Sequence, residues 1–84
     1  MSELTSLRNI GKELDKKLKA VGITTAEELK KIGSEEAFVR LKVRDPQVCL
    51  VHLYALEGAI SDTDYNQLQE DVKQSLKAVS DRLR

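Results

Sequence analysis

Thirteen consecutive residues, Val48 to Ile60, read V-C-L-V-H-L-Y-A-L-E-G-A-I, and ten of them are Val, Cys, Leu, Tyr, Ala or Ile. Only His52, Glu57 and Gly58 interrupt the run. It is too long for an ordinary strand and too short to span a bilayer. A helix that is apolar nearly all round has to be surrounded by other elements. Asp45-Pro46 lies just upstream: Asp is a good N-cap, and Pro is favoured at the first helical position. The run therefore predicts a central helix over residues 46–60, wrapped by the rest of the chain.

What wraps it is helical too. The 84 residues suffice for one small domain. One Pro, four Gly and 4% aromatics are too few turn formers and ring side chains for a sandwich or barrel. Ser2 is expected to cap a short first helix with Leu4 and Leu7 on one face. A second helix is expected over about Lys12–Val21, with Leu14, Leu18 and Val21 on one face. Gly22 stands where a C′ glycine belongs. Thr24-Thr25 with Glu27-Glu28 offers two overlapping capping boxes for a helix over Ala26–Ile32. Ser34 is expected to cap a fourth helix carrying Ala37, Phe38 and Leu41. Ser61-Asp62-Thr63-Asp64 breaks the central helix, and Tyr65 to Leu68 forms a short turn, with Tyr65 as a staple under the last helix. That last helix starts near Gln69 or Glu70 and carries Val72, Leu76, Val79 and Leu83 as one amphipathic stripe. The expectation is a compact all-α single domain, residues 1–84, of about five to six helices.

The charge balance limits the partners. Formal net charge is zero, but residues 1–44 carry ten Lys/Arg against seven Asp/Glu, and residues 45–84 carry four against seven. A mildly basic front half suits an acidic partner without the strong basic footprint of a dedicated nucleic-acid binder. The single cysteine, Cys49, rules out an intramolecular disulfide and fits a reducing cytoplasm. No signal-peptide layout and no transmembrane run is present, so a cytoplasmic protein with no membrane partner is expected.

Two stretches carry candidate chemistry. In the first, helices joined through Asn9-Ile10-Gly11 resemble a helix-hairpin-helix unit. Backbone amides at a helix start, together with the helix dipole, make an anion site. Asn9, Gly11, Lys12, Lys16 and Lys17 are the candidate phosphate or nucleic-acid contacts. Asn9 stands where the usual hairpin has a first glycine, and Glu13 puts a carboxylate beside the proposed phosphate. A tight corner between helices with a solvated lysine face explains the same residues. In the second, Cys49 and His52 are three apart and share a helical face. A nucleophile or metal pair reads from them, as does plain packing with Cys49 in the core and His52 at its boundary. A zinc site takes about four ligands, and the chain has no second Cys or His.

Glu57 and Gly58 break the apolar helix. A carboxylate there needs a partner, either amides of a neighbouring turn or Arg8 or Arg40. Gly58 costs the helix about 1 kcal/mol relative to Ala unless another backbone passes close by. The pair is expected to lock the structure; a notch for a binding partner is the rival role. Tyr54 is expected in the core with a partner for its phenol. Gly22 and Pro46 complete the expected structural set.

The sequence patterns carry a resemblance. L-R-N-I-G-K-E-L-x-x-x-L-x-A-V-G-I-T-T-x-E-E-L, then G-x-x-E-A-F-x-R-L, then P-x-x-C-L-x-x-L-Y-A-L-E-G-A-I and D-Y-N-Q-L-x-x-D-x-K-x-x-L resemble the TfoX (Sxy) C-terminal domain family over about residues 4–77. Leu53 to Ile60 is the most specific part. The resemblance implies an all-helical domain with a helix-hairpin-helix-like front. Full-length members regulate DNA-uptake competence in bacteria and carry a separate N-terminal domain. The resemblance supplies no catalytic residues, so a non-enzymatic binding module, nucleic-acid-binding or regulatory, is expected. Its partner is either nucleic acid or a protein, a second copy of the chain included. No cofactor, metal or small-molecule substrate is expected.

Overall fold

The computed structural model describes residues 4–83. Among them the chain is all-helical. A single 3₁₀ turn covers Leu4–Ser6. Five α-helices follow: α1 Lys12–Ala20, α2 Ala26–Ile32, α3 Ser34–Arg44, α4 Leu50–Ser61 and α5 Glu70–Arg82. A second 3₁₀ turn, Tyr65–Gln67, links α4 to α5. The expected Ser2 cap lies outside the described residues.

The apolar run takes the central place. α4 packs against α2, α3, α5 and the second 3₁₀ turn, while α1 rests on α3 and the first turn. Leu53 and Leu56 of α4 are fully buried beside Phe38 and Leu41 of α3, Leu29 of α2 and Leu18 of α1. Each such side chain contributes about 1.5–3 kcal/mol by leaving water. α5 closes the core with Leu76 and Val79.

Four expectations about these elements need correction. Among the described residues the first helix is only the 3₁₀ turn Leu4–Ser6, and Asn9 turns left-handed (φ 73°) after it and ends any continuation. The central helix starts at Leu50, with Cys49 as N-cap, and not at Pro46. Asp45 closes α3, and the Val48 amide donates to the Asp45 carbonyl (3.1 Å), so Asp45–Val48 is a β-turn with Pro46 at its second position. Asp then Pro is the opening of a type I turn as much as of a helix. Cys49 is exposed rather than in the core; the buried residue of that pair of neighbours is Val48. Tyr65 keeps more than a third of its surface in solvent and is no staple for α5.

Candidate nucleic-acid interface

The front of the molecule is set by the turn between Leu7 and Lys12. Asn9 reaches across to the link between α4 and α5. Its Nδ2 donates to the Thr63 carbonyl (3.0 Å), and the Tyr65 amide donates to its Oδ1 (3.4 Å). Gly58 lies directly beneath: a Cβ there would overlap both Asn9 Nδ2 and the Thr63 carbonyl oxygen. Next to Asn9, Arg8 Nε sits 3.5 Å from Asp62 Oδ1. The side chain of Asn9, one of the expected phosphate-contact residues, is thus committed to holding the turn.

Beyond Asn9 the chain opens. Gly11 is the N-cap of α1 in an extended conformation (φ −94°, ψ −175°), and no side chain caps the helix there. The Asp15 amide is the first to bond back, to the Gly11 carbonyl (3.0 Å). The amides of Lys12, Glu13 and Leu14 therefore lack intrahelical acceptors. Lys12 and Lys16 are exposed and join no ion pair among the described residues. Glu13, exposed in the same first turn, offsets part of their charge.

Lys17 points elsewhere. Its Nζ donates to Asp45 Oδ2 at 2.5 Å and ties α1 to the end of α3. Asp45 Oδ1 also accepts from the Gln47 amide (3.1 Å). The Lys17 ammonium, and then the Gln47 amide, hold the Asp45 carboxyl below its ordinary value. In return the hydrogen bond to Asp45 holds Lys17 above the ordinary lysine value. Lys19 is paired as well, with the buried Asp15 at 3.2 Å. Of the five sequence candidates, the structure gathers Gly11, Lys12 and Lys16 at one helix start and spends Asn9 and Lys17 on the fold.

The turn between α1 and α2 offers no comparable opening. The Ile23 amide donates to the Leu18 carbonyl (2.9 Å) and the Gly22 amide to the Lys19 carbonyl (3.1 Å), with Gly22 left-handed (φ 86°). This is the Schellman ending of α1. At the start of α2, Thr25 Oγ1 accepts from the Glu28 amide (3.1 Å). Glu28 Oε1 reaches back to the Thr24 amide (3.1 Å) and hydroxyl (2.7 Å). Those bonds, the Thr24 hydroxyl foremost, pull the Glu28 carboxyl below its ordinary value. Thr25 thus caps the Glu28 amide, and the Glu28 carboxylate stands at the helix start where an anion would sit.

Two further candidates resolve structurally. The partner of Glu57 is Ser34, whose buried hydroxyl donates to Glu57 Oε1 at 2.6 Å. Neither Arg8 nor Arg40 pairs with it; Arg40 bonds Glu36 (3.1 Å). Ser34 is the first residue of α3 rather than its cap, and Gly33 takes the cap position. Tyr54 is half-buried, its hydroxyl 3.5 Å from the Lys73 carbonyl. At the start of α4 the Cys49 amide donates to His52 Nδ1 (3.1 Å), and Cys49 Sγ lies 3.5 Å from the same nitrogen. Among the described residues no third His, Cys, Asp or Glu joins them into a metal-holding group. No described helix is long and apolar enough to cross a membrane.

Comparison with known proteins gives two findings. Residues 1–79 match the family described as the TfoX C-terminal domain. Two crystal structures from Listeria monocytogenes superpose closely. One, an uncharacterized protein in a triclinic form, is 45% identical with a TM-score of 0.94, over 95% of this chain and 91% of that one. The other, a protein of unknown function in a tetragonal form, is 44% identical with a TM-score of 0.94, over 96% of this chain and 100% of that one. No curated protein matches the chain.

Proposed function

This chain belongs to the TfoX C-terminal domain family, and we propose that it is a non-enzymatic, cytoplasmic module that binds nucleic acid through the start of α1. The observation that carries this reading is Gly11. Gly22 and Gly33 have positive φ, and Gly58 sits under Asn9. Gly11 alone has an ordinary extended backbone and no atom within 4 Å of where a Cβ would be. The fold leaves room for a Cβ there. A bare backbone in open space, ahead of three unbonded amides and beside Lys12 and Lys16, suits close approach of a phosphate.

Fluorescence anisotropy with a labelled duplex and a labelled single strand tests this. Binding is expected at low salt, with a log–log salt slope near about −1.8 on duplex if Lys12 and Lys16 each meet one phosphate. The Lys12→Gln, Lys16→Gln double variant should flatten that slope and weaken binding to both ligands. Absence of binding at low salt overturns the reading.

A second reading, self-association, is favoured by the exposed Val43 and Val51 near the corner where α3 passes into α4. Sedimentation velocity of the native chain and of a Val43→Ser, Val51→Ser variant separates it. A dimer lost in the variant supports it, and a monomer throughout removes it.

A further inference from the structure

A pocket of about 270 Å³ opens where α4 ends and α5 begins. Glu57 is the one charged residue of its lining. Its carboxylate is fixed from behind, since the Ser34 hydroxyl donates to Oε1 (2.6 Å). Oε2 has no hydrogen-bond partner, and Glu57 joins no ion pair, among the described residues. Arg8 is spent nearby on Asp62 (3.5 Å). The hydroxyls that line the pocket also spend their protons on the fold. Ser61 Oγ donates to the Glu57 carbonyl (2.7 Å), and Thr63 Oγ1 donates to the Ser61 carbonyl (3.1 Å). A hydroxyl has one proton, so Ser61 and Thr63 have only lone pairs left to offer. The Gln67 carboxamide, also in the lining, can turn its oxygen the same way. α4 brings no basic residue to its last turn, so no side chain of that helix meets the negative end of its dipole. The apolar lining is Leu68 and the half-buried Val72.

We propose that this pocket takes a primary ammonium group carried on an alkyl chain, the chemistry of a lysine side chain or a free diamine. The argument is complementarity of donors. The pocket has a carboxylate and oxygens whose own protons are already placed, and an ammonium brings positive charge with three N–H donors and no acceptor. The choice of ammonium over guanidinium follows from Ser34. An arginine fork is matched by both oxygens of a carboxylate side by side, and Oε1 is already engaged. A point charge needs only Oε2. Pockets for whole small-molecule ligands begin near about 300 Å³, so this one suits a group the size of a side chain. Leu68 and Val72 give its methylene stem an apolar surface. The notch expected at Glu57 is thereby given an occupant, and Glu57 keeps its bond to Ser34. The site is cation-binding and does not depend on the anion reading of the α1 start.

The test is an NMR titration of the isotope-labelled native chain at low salt. The probes are 1,5-diaminopentane and a lysine blocked at both ends, with butylguanidinium and butanol as comparators. Saturable shifts are expected at the amides of Ser61, Thr63 and Val72 with either ammonium probe, weaker ones with butylguanidinium and none with butanol. The probe that saturates at the lower concentration identifies the source of the ammonium. Glu57→Gln should weaken the ammonium probes at least about tenfold, the loss of a hydrogen bond to a charged group. Gln67→Lys leaves the Ser34–Glu57 bond untouched and places a competing cation at the pocket, so it should suppress binding as well. Thermal melts check that both variants fold, and Gln67→Lys decides the matter if Glu57→Gln does not. Native-like binding by a folded Glu57→Gln variant, or by Gln67→Lys, overturns the proposal. So do shifts that fail to saturate, shifts spread evenly over exposed carboxylates such as Glu36 and Glu70, or equal shifts with butanol. Equal binding of butylguanidinium overturns the assignment to an ammonium.

Discussion

Gly58 and Asn9 work as one joint. In a helix interior, Gly to Ala is normally stabilising by about 1 kcal/mol. Here the added methyl would overlap Asn9 Nδ2 and the Thr63 carbonyl oxygen, the two ends of one hydrogen bond. Gly58→Ala is therefore expected to destabilise, by about 1–3 kcal/mol in urea denaturation, as overpacking does. A gain in stability would show that the joint gives way at little cost. Glu57 is a second residue-scale case. A double-mutant cycle on Ser34→Ala and Glu57→Gln should give a coupling of about 1 kcal/mol, since the bond runs to a carboxylate from a buried hydroxyl. Independent effects of the two changes would remove that bond from the account of stability. Both anomalies were visible in the sequence, because a glycine and a carboxylate have no business in an apolar run. Their partners were not. Asn9 lies 49 positions from Gly58 and Ser34 lies 23 from Glu57, and nothing local distinguishes Ser34 as a donor from Ser34 as a cap.

At the scale of elements, the helix ends decide what is open and what is closed. α2 closes its own start with Thr25 and Glu28, and Thr25→Ala should cost about 1 kcal/mol by thermal or urea denaturation. α1 leaves its start uncapped. Gly11→Asp should raise stability by a few tenths of a kcal/mol, because Asp caps better than Gly and suits the helix dipole. The same carboxylate would occupy the amides and abolish nucleic-acid binding in the anisotropy assay. Opposite signs on stability and binding are the signature of a helix start kept open for a ligand. Helix α2 was legible because Gly33 ends it and Thr24-Thr25 offers a cap in either of two overlapping boxes, of which the structure uses Thr25 as N-cap. The start of α4 was not, because Asp45-Pro46 opens a turn and a helix equally well. What chose the turn is partly local and partly tertiary: the Gln47 amide donates to the Asp45 carboxylate and Lys42 Nζ to the carbonyls of Pro46 (3.0 Å) and Val48 (2.7 Å), while Lys17 reaches Asp45 from α1.

For the whole molecule, the Lys17–Asp45 bridge ties the front helix to the central pair, and its titration gives the domain a pH signature. Asp45 and Glu28 are held below ordinary carboxyl values, so their contributions are present above that range and are lost as pH falls through the folded values. Lys17 is held above its ordinary value, so its contribution is present below that value and is lost as pH rises through the folded one. Stability should be flat from roughly pH 5 to pH 10 and should fall on both sides. Asp45→Asn should lower the plateau and soften both flanks, as read from thermal melts across pH. An unchanged alkaline flank in that variant would show that Lys17 does not depend on Asp45. The all-helical class and the central position of α4 were readable from periodicity and composition, which act over whole elements. Which basic side chains remain free for a ligand was not readable, because that follows from how α1 and α3 meet.

The clamp at Asn9 joins residues 54 and 56 positions apart, to Thr63 and Tyr65. During synthesis the turn at Asn9–Gly11 emerges first, yet its clasp is made 54 to 56 residues later. A nascent chain that has delivered only its front helices has nothing to fix Asn9 in its left-handed turn, and closing so long a loop is entropically slow. The opening at Gly11 is consequently set only when the link before α5 has left the ribosome. The shape of that turn thus arrives with completion of the fold.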